Sequence, residues 1–216
     1  MNEPLYRLRN ICAGYLPDRR VLDGLNLDLH VGDRIALVGA NGAGKSTLLE
    51  LMIGLMRPVS GEVWAFGKVR DEDRDYVDVR QRAGLLFEDP DDQLFHITVA
   101  EDVAFGPFNL GWDRARVASA VKEVLALLDL GGYEERITYR LSRGEKRMVS
   151  LATVLVMEPD VLLLDEPTAG LDERHTERLI DVLRARARTL LVVSHDRAFL
   201  EAVTDQSLTL ADGRLA

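Results

Sequence analysis

The sequence predicts an α/β fold interrupted by a helical lobe, and three observations carry that prediction. A glycine-rich loop, Gly39-Ala40-Asn41-Gly42-Ala43-Gly44-Lys45-Ser46, followed by Thr47, stands between an apolar run (Ile35 to Val38) and a helix-like run (Leu48 to Ile53). Two more apolar runs, Val161 to Leu164 and Leu190 to Val193, are continuous, as strands buried on both faces of a sheet read. Between Phe87 and Pro159 helical periodicity prevails and no clear strand intervenes.

The elements follow in order. Leu5 to Ala13 reads as a strand, with apolar Leu5, Leu8 and Ile11 among polar residues; Tyr15 and a polar turn through Pro17-Asp18-Arg19-Arg20 come next. Leu25-Asn26-Leu27-Asp28-Leu29 alternates strictly, which predicts a half-buried strand. Val31-Gly32-Asp33 turns into the strand that feeds the glycine-rich loop. After the loop helix, Arg57-Pro58-Val59-Ser60-Gly61 breaks the chain. Glu62 to Phe66 then reads as a short edge strand, and charged Asp71 to Asp75 as a solvated loop. Gly84 to Phe87 is a short buried strand, followed by acidic Glu88-Asp89-Pro90-Asp91-Asp92-Gln93. Helical spacing begins at Thr98. Asp113 caps a longer helix with Val117, Val121, Val124 and Leu128 on its apolar face, stopped by Gly131-Gly132. Leu141-Ser142 opens a third helix, with Met148, Leu151, Ala152 and Leu155 on one side. Alternation then resumes with a helix from Glu173 to Arg186, the Leu190 strand, a short helix from Asp196 to Val203 and a closing hairpin around Asp212-Gly213. One domain, 1–216, is expected, with a core of 1–88 and 159–216 and a helical lobe of 89–158.

Composition limits the partners. The 216 residues suffice for one sizeable core, and a net charge of −9 argues against nonspecific nucleic-acid binding. Cys12 is the only cysteine, so no internal disulfide forms and a reducing cytosol fits. The histidines His30, His96, His175 and His195 show no metal-ligand spacing. The start, Met1-Asn2-Glu3-Pro4, lacks a signal pattern, and runs such as Leu151 to Met157 fall short of the roughly 20 residues a membrane span needs. A membrane role would come through a partner.

The chemistry concentrates at strand ends. A strand, a glycine-rich loop and a helix in that order make a phosphate-binding loop: backbone N–H groups of Asn41 to Thr47 turn inward, and the helix start adds free donors and a positive dipole end. Lys45 would reach the β- and γ-phosphates, and the Ser46 hydroxyl would ligate Mg²⁺. Asp165 and Glu166 end one buried strand, where Asp165 would hold Mg²⁺ and Glu166 would orient and deprotonate a water. Ser194 and His195 end the next, and His195 reads either as a satisfied surface or core residue or as a donor to the γ-phosphate or the water. Leu141-Ser142-Arg143-Gly144-Glu145 has the makings of a second anion site, or of a plain capping box of Ser142 with Glu145; both can hold at once.

Together these motifs resemble the ATPase subunit of ATP-binding-cassette transporters, from about Tyr6 to Leu215. Gly39 to Ser46 matches the Walker A loop, Leu162 to Glu166 Walker B with its catalytic glutamate, Leu141 to Glu145 the signature Leu-Ser-Gly-Gly-Gln, Ala169 to Asp172 the D-loop and His195 the switch histidine. Tyr15 stands where the family stacks an aromatic on adenine. The resemblance implies a RecA-like core with an antiparallel β subdomain and an inserted helical lobe. It also implies two copies, most simply identical ones, that sandwich two ATP molecules head to tail. Each ATP then lies between one copy's Walker A and the other's Ser142 and Gly144, so a lone chain hydrolyses slowly. Membrane subunits follow the motion, from the cytoplasmic face of the membrane.

Phe87 to Phe95 with Val99 to Pro107 is similar to energy-coupling-factor importers, cobalt and nickel systems among them, in which a coupling subunit and a substrate-binding subunit sit in the membrane. Rival expectations are a biotin importer, a soluble cassette ATPase outside transport, and a P-loop kinase or GTPase; the last would not need Ser142 and Gly144, and no Asn-Lys-x-Asp motif is present. The sequence departs from the family twice. Glu88 replaces a metal-ligating glutamine, which would keep Mg²⁺ but alter turnover, and Arg143 replaces a glycine, where it would attract the partner's ATP or face solvent. The stretch Asp89 to Phe105 reads as a docking groove, whose carboxylates with Leu94, Phe95 and Phe105 would receive an arginine-bearing helix, or as a solvated loop over core aromatics.

Overall fold

Two sheets and seven α-helices make up the computed structural model, which describes residues 3–15 and 20–216. The expected turn at Pro17-Asp18-Arg19 lies outside the described residues. Strands β1 (Tyr6–Ala13) and β2 (Leu22–Leu29) pair antiparallel. The chain then enters the second sheet with β3 (Arg34–Val38), which runs through the glycine-rich loop into α1 (Lys45–Met52). Strand β4 (Ser60–Ala65) returns beside β1 and folds back into β5 (Lys68–Val69), giving an antiparallel sheet of order β2-β1-β4-β5.

After α2 (Val77–Arg82) and β6 (Ala83–Leu86), the lobe contributes α3 (Val99–Asn109), α4 (Arg114–Leu127) and α5 (Arg143–Leu155). Thr98 and Glu101 close a capping box on α3, and the Asp113 carboxylate accepts from Ala115 and Arg116 at the start of α4. The main sheet is completed by β7 (Val161–Asp165), α6 (Glu173–Arg186), β8 (Leu190–Val193), α7 (Arg197–Val203), β9 (Gln206–Ala211) and β10 (Arg214–Leu215). Its order is β10-β9-β3-β8-β7-β6, parallel from β9 to β6, with only β10 reversed.

This sheet is the wall between two apolar cores. Alternate residues of β7 part company, Leu162 and Leu164 packing with the lobe and α6, Val161 and Leu163 with α1 and the antiparallel sheet. Burial on both faces is why these strands lack polar alternation. The parallel strands also point their C-terminal ends one way, which brings the ends of β3, β7 and β8 to one rim.

Three expectations are corrected. Glu62 to Phe66 is no edge, because β4 lies between β1 and β5. Asp71 to Asp75 is not a simple loop: a 3₁₀ turn over Asp73–Tyr76 leads directly into α2. Six helical residues with buried Val79 as their one inward side chain show too little periodicity to read. Helix α4 ends at Leu127, ahead of Gly131-Gly132, and Asp129 just beyond it, with a φ of 59°, turns off the helical path. No helix among the described residues is long and apolar enough to cross a membrane.

Candidate active site

At that rim lies an open cleft of 1560 Å³. Its lining brings together Tyr15, Asn41, Gly42, Ala43, Gly44, Lys45, Ser46, Thr47, Glu88, Asp165, Glu166 and His195, every expected site residue except Ser142 and Gly144.

The loop at its floor is shaped by glycine. Gly44 starts α1 with φ at 105°, a left-handed conformation that suits a residue without Cβ, and no side chain caps the helix. The first N–H groups of α1 are thus left to an external acceptor, which at a helix start means an anion. Gly39 lies against β9, where a Cβ would stand 2.3 Å from the Leu210 carbonyl oxygen. The loop wraps the Lys45 ammonium, which donates to the carbonyls of Gly39 at 2.9 Å and Ala40 at 3.0 Å. At the mouth Tyr15 is 63% exposed, and its hydroxyl reaches Thr47 Oγ1 at 3.2 Å and Glu50 at 3.0 Å. An exposed ring tethered at its far end can present a face to a base.

The opposite wall is acidic. Asp165, the last residue of β7, is 5% exposed, and its carboxyl is held above the usual range by burial first, then by the charges of Glu88 and Glu166, against the opposing pull of the Ser46 hydroxyl and Lys45. Glu166 has a φ of 46°, a costly conformation for a side chain with Cβ, and its N–H is pinned to Val193 O at 2.9 Å. That twist carries its carboxylate to the cleft beside His195. Glu166 Oε2 accepts from the His195 backbone N–H at 3.2 Å. Glu166 Oε1 is buried with no hydrogen-bond partner, and His195 Nε2 stands 3.5 Å from it. A buried acceptor left open at a cleft wall suits a bound water.

Glu88, Asp165 and Ser46 also line a smaller adjoining cleft of 360 Å³. Among the described residues no group of three or more His, Cys, Asp or Glu is placed to hold a cation alone. A hydroxyl and two carboxylates fit instead a hard cation that brings further oxygens with it, as Mg²⁺ does with phosphate and water.

Ser142 and Gly144 stand apart, on the lobe. Ser142 caps α5, and the capping box with Glu145 is present, with Ser142 N–H donating to Glu145 Oε2 at 2.8 Å. Ser142 is exposed. Gly144 presses on the loop after β7, where a Cβ would stand 2.8 Å from the Gly170 carbonyl oxygen. The Arg143 stem lies over Gly170, and the residue faces the smaller cleft. This corner lies outside the lining of the chain's own large cleft.

The sequence gives little notice of Arg147. It is the largest fully buried side chain, 1% exposed, and donates to the carbonyls of Phe87 and Glu88. The available signal was a charge at an inward-facing position, four residues before buried Leu151. Asp102 was missed likewise. It is 3% exposed and accepts from the backbone of Phe95 and His96, the His96 ring and Thr138.

The chain is similar to known proteins along most of its length. The family model described as ABC transporter matches residues 22–169. A protein of Brucella suis biovar 1 described as an ABC transporter ATP-binding protein is 50% identical over 197 residues, covering 91% of this chain and 82% of that one. The energy-coupling factor transporter ATP-binding protein EcfA of Methanothermobacter thermautotrophicus is 39% identical over 215 residues (98% of this chain, 69% of that one). The cobalt import ATP-binding protein CbiO of Rhodobacter capsulatus is 45% identical over 200 residues (91% and 71%). Among solved structures, cbiO1 of Clostridium perfringens, described as part of the ABC transporter complex cbiONQ, superposes with a TM-score of 0.84 at 31% identity, covering 100% of this chain and 88% of that one.

Proposed function

Because the chain belongs to the ATP-binding-cassette transporter family of ATPases, we propose that it is the ATP-hydrolysing subunit of an energy-coupling-factor importer that takes up a transition-metal ion, cobalt or nickel. The observation that carries the catalytic part is the convergence of Lys45, Asp165, Glu166 and His195 on one cleft. Relatives named for energy coupling and for cobalt import support the importer and its cargo.

The roles follow from position. The loop from Asn41 to Thr47 binds the phosphates of ATP through its N–H groups, and Lys45 exchanges its loop carbonyls for phosphate oxygens. Tyr15 takes the adenine. Ser46, Asp165 and Glu88 would hold Mg²⁺, which would supply charge neutralisation at the phosphates. Glu166, through its open Oε1, orients the attacking water and takes its proton. His195 donates to the developing charge on the terminal phosphoryl group. The terminal phosphate has no donor from Ser142 or Gly144 of the same chain. A second, identical copy supplies them, and closure of the pair is the power stroke: the terminal phosphate favours the closed pair, and hydrolysis withdraws that preference.

The pair works at the cytoplasmic face of the membrane, held by its partners. The docking groove lies at Asp89 to Phe105, where Phe95 and Phe105 meet edge to face at 5.1 Å and both are exposed. Leu94 is buried and belongs to the core rather than to the groove, while exposed Ile97 extends the apolar surface. An acidic rim at Asp89, Asp91 and Asp92 suits a coupling-subunit helix bearing arginines, and the substrate-binding subunit joins through that subunit.

The test has two stages. ATP added to Glu166→Gln should convert monomer to dimer in size-exclusion light scattering, and a chain that stays monomeric with saturating ATP refutes the paired site. Proteins that co-purify from solubilised membranes are then assayed for uptake of labelled Co²⁺, Ni²⁺ and biotin; uptake of biotin alone refutes the metal cargo.

A further inference from the structure

Arg147 is buried at a cost that nothing in ATP binding explains. A guanidinium in an apolar core is ordinarily matched by a carboxylate. Here its acceptors are backbone carbonyls: Nη1 donates to Phe87 O at 2.5 Å and Nη2 to Glu88 O. Its Nε has no partner. Asp89, Asp165 and Glu88 attract it only through space, Arg143 repels it, and burial pulls its pKa down most of all.

The two carbonyls belong to the turn that carries Glu88 into the cleft. The rest of that turn is fastened to the same helix. Lys146 pairs with Asp91 at 2.5 Å, and the Gln93 amide donates to Ser150 O at 3.0 Å and to Thr153 Oγ1 at 2.8 Å. Gln93 also accepts from the Phe87 N–H at 3.2 Å. The contacts at positions 146, 147, 150 and 153 follow one side of α5, so the segment 87–93 rides on that helix. Helix α5 begins at the Ser142 cap. Its first turns thus carry both the Ser142 corner and, through Arg147, the turn that brings Glu88 into the chain's own cleft.

We propose that Arg147 is a positioning residue that sets where Glu88 stands in the nucleotide cleft by holding its turn to the helix bearing Ser142 and Gly144. The inference rests on the reading that Glu88 stands at the metal end of the site.

The experiment separates the two. In the Glu166→Gln background, Mg²⁺ is titrated against a fluorescent ATP analogue, and the half-saturating Mg²⁺ concentration is read by equilibrium fluorescence, with no turnover required. Arg147→Met, which keeps the bulk and drops the donors, should raise that concentration about tenfold, the size of an ordinary coupling between contacting groups. Metal-free affinity for the analogue should stay unchanged. Arg147→Lys, which keeps the charge and one donor at a time, should fall between. Glu88→Ala with Arg147→Met should match Glu88→Ala alone, because the latch acts through Glu88.

Arg147→Met that lowers the melting temperature but leaves the Mg²⁺ midpoint in place overturns the proposal, as do effects that add in the double variant. If Arg147→Met does not fold, an Arg147→Lys midpoint equal to that of the parent overturns it. Glu88→Ala that leaves the midpoint unmoved refutes the metal site beneath it. A shift in Glu88→Ala without one in Arg147→Met refutes the latch alone.

Discussion

Glu166→Gln should make the protein more stable while it stops hydrolysis, and both effects follow from the loss of the same charge. Glu166 Oε1 is buried on the acidic wall, where two like charges in a medium of effective dielectric about 20 repel by about 1–2 kcal/mol. The carboxylate also adds its charge to that of Glu88 in raising the pKa of buried Asp165. The amide removes the charge and relieves Asp165. Against this stands the hydrogen bond from His195 N–H at 3.2 Å, which an amide oxygen retains in weaker form at a loss of about 0.5–1 kcal/mol. The balance is a gain of about 1 kcal/mol, or roughly 2–4 °C in melting temperature for a chain of this size. Thermal unfolding without nucleotide or metal reads it directly. Meanwhile kcat should fall by about 10²–10⁴-fold, the range for a lost general base. A variant that melts at or below the parent temperature refutes the stored cost. One that hydrolyses ATP normally refutes the role of the base.

Four further outcomes are expected. Glu88→Gln should retain Mg²⁺-dependent ATPase but shift its Mg²⁺ optimum, since one anionic oxygen becomes neutral; an unchanged rate and optimum would show that Glu88 does not touch the metal. Arg143→Gly should weaken ATP-driven dimerisation of the Glu166→Gln protein several-fold, measured by light scattering, if the guanidinium faces the partner's phosphates; intact dimerisation assigns it to solvent. Reversal of charge at Asp91 and Asp92 should reduce capture of the membrane subunit in a pull-down while ATP binding persists, and normal capture defeats the groove. Asp165 titrates above its ordinary 3.8 when folded, so its contribution to stability is complete below that pH and is lost as pH rises through the raised value. Asp165→Asn should therefore gain on the parent in metal-free melting as pH rises from about 4, and a constant difference across pH would be evidence against the buried charge.

Much of this site was legible before any coordinates, for a physical reason. Phosphate binding needs backbone N–H groups, and only glycine at fixed offsets frees them, so Gly39, Gly42 and Gly44 mark the loop in the sequence itself. The strands at Val161 and Leu190 read well because burial on both faces leaves no room for polar residues. The β4 strand was misplaced at an edge because its neighbour β5 is two residues long and carries no pattern. Helix α2 was missed because its inward face amounts to one side chain. The Glu166 backbone twist, at φ 46°, is beyond reach of the sequence, because a glutamate is not a residue type that marks a positive φ.

Arg147 shows where pattern reading fails and what the failure means. A buried charge inside an apolar face contradicts the local code, and such contradictions persist where the rest of the structure compels them. Here the compulsion is geometric. A parallel sheet fixes the ends of β3, β7 and β8 against one another, which places Lys45, Asp165, Glu166 and His195 rigidly. Glu88 follows a strand at the sheet edge, and beyond β6 the chain leaves for the lobe. The sheet alone therefore holds Glu88 from one side only. Two carbonyl bonds from one guanidinium supply the other hold, and they attach the acid to the lobe helix α5. Of the carboxylates proposed for the metal, Glu88 is therefore the one held from the lobe as well as by the sheet.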